Sequence, residues 1–128
     1  MSGAISVHHG VFGRAALYEL NKPIITHAHR EAHIIFWLDG GTGTVTLGDE
    51  VHKVDRNNGV AVSPWQPHSF EIDDPSNPLI TLTLYINPMW FLENNKAQGY
   101  GLSFGSPLVD VNAPVANWVS RLTSLLAD

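Results

Sequence analysis

The 128-residue chain has no cysteine, which excludes disulfides and thiolate metal sites and suits a reducing compartment. Positive charge is scarce too: seven Lys and Arg stand against twelve Asp and Glu, and the basic residues are scattered. Phosphate contacts dominate nucleic-acid affinity and need a basic patch, so this piece alone is a poor DNA binder. No apolar run approaches the roughly 18 residues of a membrane span. The opening stretch MSGAISVHHGVFGR lacks the basic-then-apolar order of a signal peptide. These absences lead to the expectation of a cytoplasmic protein with no membrane partner. Repeats and low-complexity blocks are also missing. What is present is one domain's length of chain, 44% hydrophobic and 15% charged, enough to bury a core unaided.

Between residues 13 and 87 apolar and polar residues mostly alternate, with turn signals in between. TGTVTLGDEV sets Thr44 and Thr46 against Val45 and Leu47, and Gly48-Asp49 marks a tight turn. RNNGVAVSP carries an Asn-Gly turn. LITLTLYINP places Ile80, Leu82, Leu84 and Ile86 on one face, with Thr81, Thr83 and Tyr85 on the other. Strands are expected at 15–20, 23–28, 33–38, 43–47, 51–54, 60–63, 68–71 and 79–87. So many short strands indicate an all-β sandwich or barrel. The expected division is an N-terminal arm over 1–13, made flexible by Gly3, Gly10 and Gly13, a barrel over 14–87 and a helical tail over 88–128. A helix can open at 88–96 with Pro88 in its first turn. In NAPVANWVSRLTSLLAD, Val115, Trp118, Val119, Leu122, Leu125 and Leu126 form one apolar stripe, with Asn112 as N-cap. No glycine or asparagine cap follows Leu126, which hints at a longer natural chain.

Three of seven histidines fall within THAHREAH. His27 and His29 share a strand face, and His33 shares one with Ile35 and Trp37. Should the 68–71 strand lie beside them, His27, His29, His33 and His68 converge inside a barrel, an all-imidazole site suited to Zn, Ni, Cu or Fe(II). Ordinary half-buried strand histidines are the alternative reading. His8, His9 and His52 read as solvated, as do Asp39, Asp49, Glu50, Asp73 and Asp74. Trp65 and Phe70 flank His68, and with Ile35 and Trp37 they make an apolar pocket wall or plain core. Arg30 either caps an anion at the barrel mouth or is solvated.

The spacing His27-Ala-His29, three residues, His33, six residues, Gly40 resembles the first motif of the cupin superfamily. Asn21 stands at that motif's first glycine and His33 at its glutamate. Of the second motif only His68 survives, with Asn57, Ser63, Trp65 and Ile72 at its other positions. A second motif reduced to Pro67-His68-Ser69-Phe70 is similar to the sensor domains of AraC-type transcription regulators. The stretch from Glu31 to Glu71 and LYINPMWFLE, followed by a tail helix, strengthen that likeness over about residues 14–128.

The resemblance implies a cupin-like double-stranded β-helix, a jelly-roll barrel with one or two C-terminal helices. It implies a small-molecule effector in the barrel, a homodimer through Val115, Trp118, Val119 and Leu122, and DNA contact only through a helix-turn-helix domain outside this chain. Carried over, the cupin metal ligands land on His27, His29, His33 and His68, for a divalent transition metal (Zn, Ni or Fe). Many such regulators have instead lost the metal and use these positions for ligand hydrogen bonds. A shifted turn would offer Glu31 in place of His33. Four imidazoles leave a bound divalent ion at +2, which favours an anionic effector. The alternative is a small metal-dependent cupin enzyme, a dioxygenase or isomerase. It is disfavoured because no carboxylate is in register and no general base stands out.

Overall fold

The computed structural model describes residues 3–94, 104 and 106–127. Ten strands and two helices follow in order: β1 (Gly3–Gly10), β2 (Gly13–Leu20), β3 (Ile24–His27), β4 (Ala32–Gly40), β5 (Gly43–Leu47), β6 (Glu50–Val54), β7 (Asn58–Val62), β8 (His68–Ile72), β9 (Leu79–Ile86), α1 (Pro88–Asn94), β10 (Leu108–Asp110) and α2 (Ala113–Ala127). All the strand pairings are antiparallel. One sheet runs β1-β2-β9-β4-β7-β10 and the other β3-β8-β5-β6, an all-β jelly roll.

The central strands β4 and β9 of the larger sheet are covered on both faces. From β4, Ile35 packs between the sheets with Val45, Val60, Val62, Phe70 and Leu79. The intervening residues Ile34, Phe36 and Leu38 face outward, under Val115, Val119, Leu122 and Leu126 of α2. This is why IIFWL reads as a continuous apolar run instead of an alternating one. The same holds in β9. Leu82 and Leu84 face α2, while Leu79, Thr81 and Thr83 are buried on the inner side.

Both helices are capped by asparagine. Val115 N donates to Asn112 Oδ1 at 3.1 Å, and Met89 N donates to Asn87 Oδ1 at 2.9 Å. Each cap satisfies an N–H with no partner inside its helix, and the proline in each first turn needs none. The expected N-cap of the tail helix and the Gly48 turn, at φ 63°, are both found. The expected helix over 88–96 is described as far as Asn94, and its last two positions lie outside the described residues.

Three features differ from expectation. Residues 3–10 of the expected arm form β1, paired with β2 along its length. Gly13 serves close packing: at φ 142°, a Cβ there would collide with the Tyr85 carbonyl oxygen. β10 pairs with β7 and was too short to stand out in the sequence. His52 is half-buried, not solvated, with its Nε2 3.8 Å from Glu50 Oε1. Its register partner on β5 is Val45, a core residue, so the β5–β6 hairpin carries His52 inward.

Candidate functional site

β3 and β8 pair so that His27 lies directly opposite His68. Their ring centroids are 4.2 Å apart. His29, in the connection to β4, closes the group with centroids 5.5 Å from His27 and 5.1 Å from His68. One ring nitrogen from each of the three lies within 4.8 Å of the others. His33 lies alongside, its centroid 4.8 Å from both His29 and His68. Among the described residues the structure thus gathers three of the four expected imidazoles as a metal-sized cluster. The fourth is stacked on Tyr85 at 5.4 Å.

The backbone sets the tautomer of the three. His27 Nδ1 donates to Ile25 O at 2.9 Å, His29 Nδ1 to Glu31 O at 2.8 Å, and His68 Nδ1 to Gln66 O at 2.8 Å. A carbonyl only accepts, so each Nδ1 holds a proton, and the neutral form of each ring has its lone pair on Nε2. This is the outer-shell arrangement that orients metal-ligating histidine. Burial pushes the His68 imidazolium down from its usual range. Burial also drives His33 down to about 2, helped by the neighbouring imidazoles and Arg14. Its Nδ1 is buried without a hydrogen-bond partner among the described residues.

The turn before β8 fixes two of the histidines. Trp65 has a left-handed φ of 61°, unusual for a bulky side chain and a cost of roughly 1–3 kcal/mol. In that conformation Trp65 N donates to His29 O at 2.8 Å. Gln66 Oε1 accepts from Ser63 N at 3.0 Å, while Gln66 O holds His68.

Below the imidazoles lies a cavity of about 270 Å³ between the sheets. Ile35 and Phe70 line it, as do Leu20, Ile24 and Val45. Trp37 and Trp65 are placed elsewhere. Trp37 borders a separate depression against α2 and donates its indole N–H to Gly41 O at 2.9 Å. The Trp65 side chain is 63% exposed. Sequence reasoning missed Leu20, Ile24 and Val45, and also Gly3, Tyr18, Ser69, Thr83 and Tyr85, which line the cavity too. The Thr81-Thr83-Tyr85 face of β9 was the available signal, since it lies opposite an all-Leu and Ile face on a strand buried on both sides. The guanidinium at the site is Arg14, not the exposed Arg30. Arg14 lies 3.9 Å over the Tyr85 ring and pairs with Glu31 at 3.2 Å. Glu31 is therefore engaged outside the imidazole cluster.

In the tail, Val119 is buried and Val115 and Leu122 pack beside it on the chain's own sheet, while Trp118 remains 49% exposed. No helix among the described residues is long and apolar enough to cross a membrane.

Residues 9–128 match the family model described as AraC-like ligand binding domain. Solved structures agree on the fold. A cupin superfamily protein from Desulfitobacterium hafniense superposes with a TM-score of 0.57 at 10% identity, covering 67% of this chain and 77% of that one. The Cnp3 cupin domain of Schizosaccharomyces pombe gives 0.60 at 10% identity, covering 73% of this chain and 66% of that one. KdgF from Halomonas sp. gives 0.54 at 16% identity, covering 64% and 78%. No curated protein matches the chain.

Proposed function

The chain belongs to the AraC-like ligand-binding domain family, and on that premise we propose that it is the effector-binding and dimerisation domain of a cytoplasmic transcriptional regulator. The observation that carries the reading is the open cavity beside convergent imidazoles, an apolar hollow with a few polar groups gathered together. DNA is then reached only through a helix-turn-helix domain beyond residue 128.

The imidazoles fit a divalent transition metal (Zn, Ni or Fe). All three rings are held as the tautomer with a free Nε2, and the His33 ring lies 4.8 Å from those of His29 and His68. His27, His29 and His68 would hold the ion, and His33 would face the effector. A bound ion would supply a Lewis-acidic cation to an effector oxygen.

Effector binding has a route to the tail. Gly3 of β1 lines the cavity, and Ser6 Oγ on the same strand donates to Leu126 O of α2 at 3.0 Å. An effector that touches β1 alters its hold on α2 only if it binds one arrangement better than the other. The exposed Trp118 and Leu125 would meet the same residues of a second subunit in an isologous contact.

Three imidazoles with free lone pairs also suit a metal-dependent cupin enzyme, which is the second reading. Glu31 weighs against it, because its carboxylate is committed to Arg14. Extending the reading frame past Asp128 separates the two. The proposal expects an encoded helix-turn-helix unit, whereas a stop codon would favour the enzyme.

A further inference from the structure

The cavity wall is chemically divided. Leu20, Ile35, Val45 and Phe70 pack together in the core between the sheets, and Ile24 lies opposite Phe70 on the neighbouring strand. The polar groups form a second set, in which the imidazoles and tyrosines are connected and Ser69 and Thr83 add hydroxyls to the wall. His27, His68, His29 and His33 are in ring contact, His33 is stacked on Tyr85, and Tyr85 Oη is 3.1 Å from Tyr18 Oη. Among the described residues no lysine, arginine or carboxylate lines the cavity. The nearby Arg14 lies against the Tyr85 ring and is neutralised by Glu31.

This wall discriminates between classes of ligand. A sugar carries hydroxyls all round and would bury several of them against Leu20, Ile35, Val45 and Phe70, where they find no partner. A ligand polar at one end only leaves nothing unpaired. Size sets the scale of the part that is covered, since about 270 Å³ holds roughly a dozen non-hydrogen atoms at protein packing density. Charge gives the third constraint. A divalent ion on three neutral imidazoles keeps its full charge in a wall whose described residues offer no carboxylate to offset it. The ligand must bring the anion.

Resting on the metal reading above, we infer that the effector is a compact monocarboxylate with an apolar body, on the scale of benzoate. Its carboxylate lies at the imidazole cluster and its body against Ile35, Val45 and Phe70. Acetate lacks the body, benzamide lacks the charge, and L-arabinose has the wrong distribution of polarity.

The test is calorimetric titration of the full 128-residue chain, first with zinc and then with each of the four compounds, before and after EDTA treatment. The expected result is that benzoate binds the zinc-loaded protein at least about tenfold more tightly than acetate or benzamide. Benzoate also outcompetes L-arabinose and loses at least about tenfold in affinity when zinc is stripped. The inference is overturned if L-arabinose binds more tightly than benzoate, if benzamide equals benzoate, or if benzoate ignores zinc. Each of these leaves the metal reading intact. Failure of zinc to bind, seen before any carboxylate is added, overturns the metal reading and this inference with it.

Discussion

His27 and His68 stand opposite each other across the β3–β8 ladder, with ring centroids 4.2 Å apart and both Nδ1 atoms tied to backbone carbonyls. A ring nitrogen of each lies within 4.8 Å of the other, and His29 supplies a third. His68→Ala or His29→Ala should therefore lower zinc affinity by at least about hundredfold, as expected when a direct ligand is lost instead of an outer-shell partner worth about 10–100-fold. Zinc competition against a chromophoric chelator measures this. Affinity within a few-fold of the unaltered chain would remove the metal from the account.

The buried His33 gives the metal-free domain a pH signature. Its imidazolium is pushed down to about 2 from 6.5, so the unfolded chain binds that proton more readily than the folded one. Stability from this group is complete above about pH 6.5 and is lost as pH falls through the interval toward about 2, at up to about 1.4 kcal/mol per pH unit. His68 is shifted in the same direction. Urea unfolding with EDTA present, between pH 7 and 4.5, should show His33→Phe flattening the slope by close to one proton. An unchanged slope would mean that His33 is solvated.

Gly13 sets the path of β2 beside Tyr85. Gly13→Ala forces a side chain onto a φ of 142° and into the Tyr85 carbonyl. The expected loss is more than about 2 kcal/mol, read as a drop in the urea midpoint with unchanged m-value. A loss under about 0.5 kcal/mol would show that the strand shifts freely.

Trp65 contributes through its backbone. Trp65→Gly relieves a left-handed φ of 61° but adds freedom to the unfolded chain, so stability should stay within about 1 kcal/mol. Zinc affinity should be retained, because Trp65 N and Gln66 O still hold His29 and His68. Thermal melts and zinc titration on one preparation check both. Loss of zinc binding would assign the indole itself a role.

On α2, Trp118 and Leu125 are 49% and 75% exposed, while Val119 is buried on the chain's own sheet. Trp118→Glu with Leu125→Glu should leave the barrel folded and convert a dimer to a monomer in sedimentation equilibrium. A dimer that survives both changes places the contact elsewhere.

The sequence made the strands of the barrel body legible because turn chemistry and alternation agree there, as at Gly48-Asp49. It also showed the capped tail helix, through Asn112 and the Val115–Leu122 spacing. His27, His29 and His68 were legible because a His-x-His strand and a lone strand-initial histidine pair only if β3 and β8 do. The polar wall was not legible. Thr83 and Tyr85 look like a solvent face until α2 is seen covering the Leu82 and Leu84 side, which makes their face the inner one. The two tryptophans misdirected the pocket for a related reason. Trp37 sits where β4 has passed the cavity, and the left-handed backbone at residue 65 turns the other indole outward. Neither effect is local in sequence.

The most direct test of the account is long-range 1H–15N NMR of the histidine side chains in metal-free protein, followed by one equivalent of Zn2+. The account predicts the Nδ1–H tautomer at His27, His29 and His68, and a concerted shift of their three Nε2 resonances on zinc addition. Nε2–H tautomers at these positions, or resonances that move independently or not at all, would contradict it.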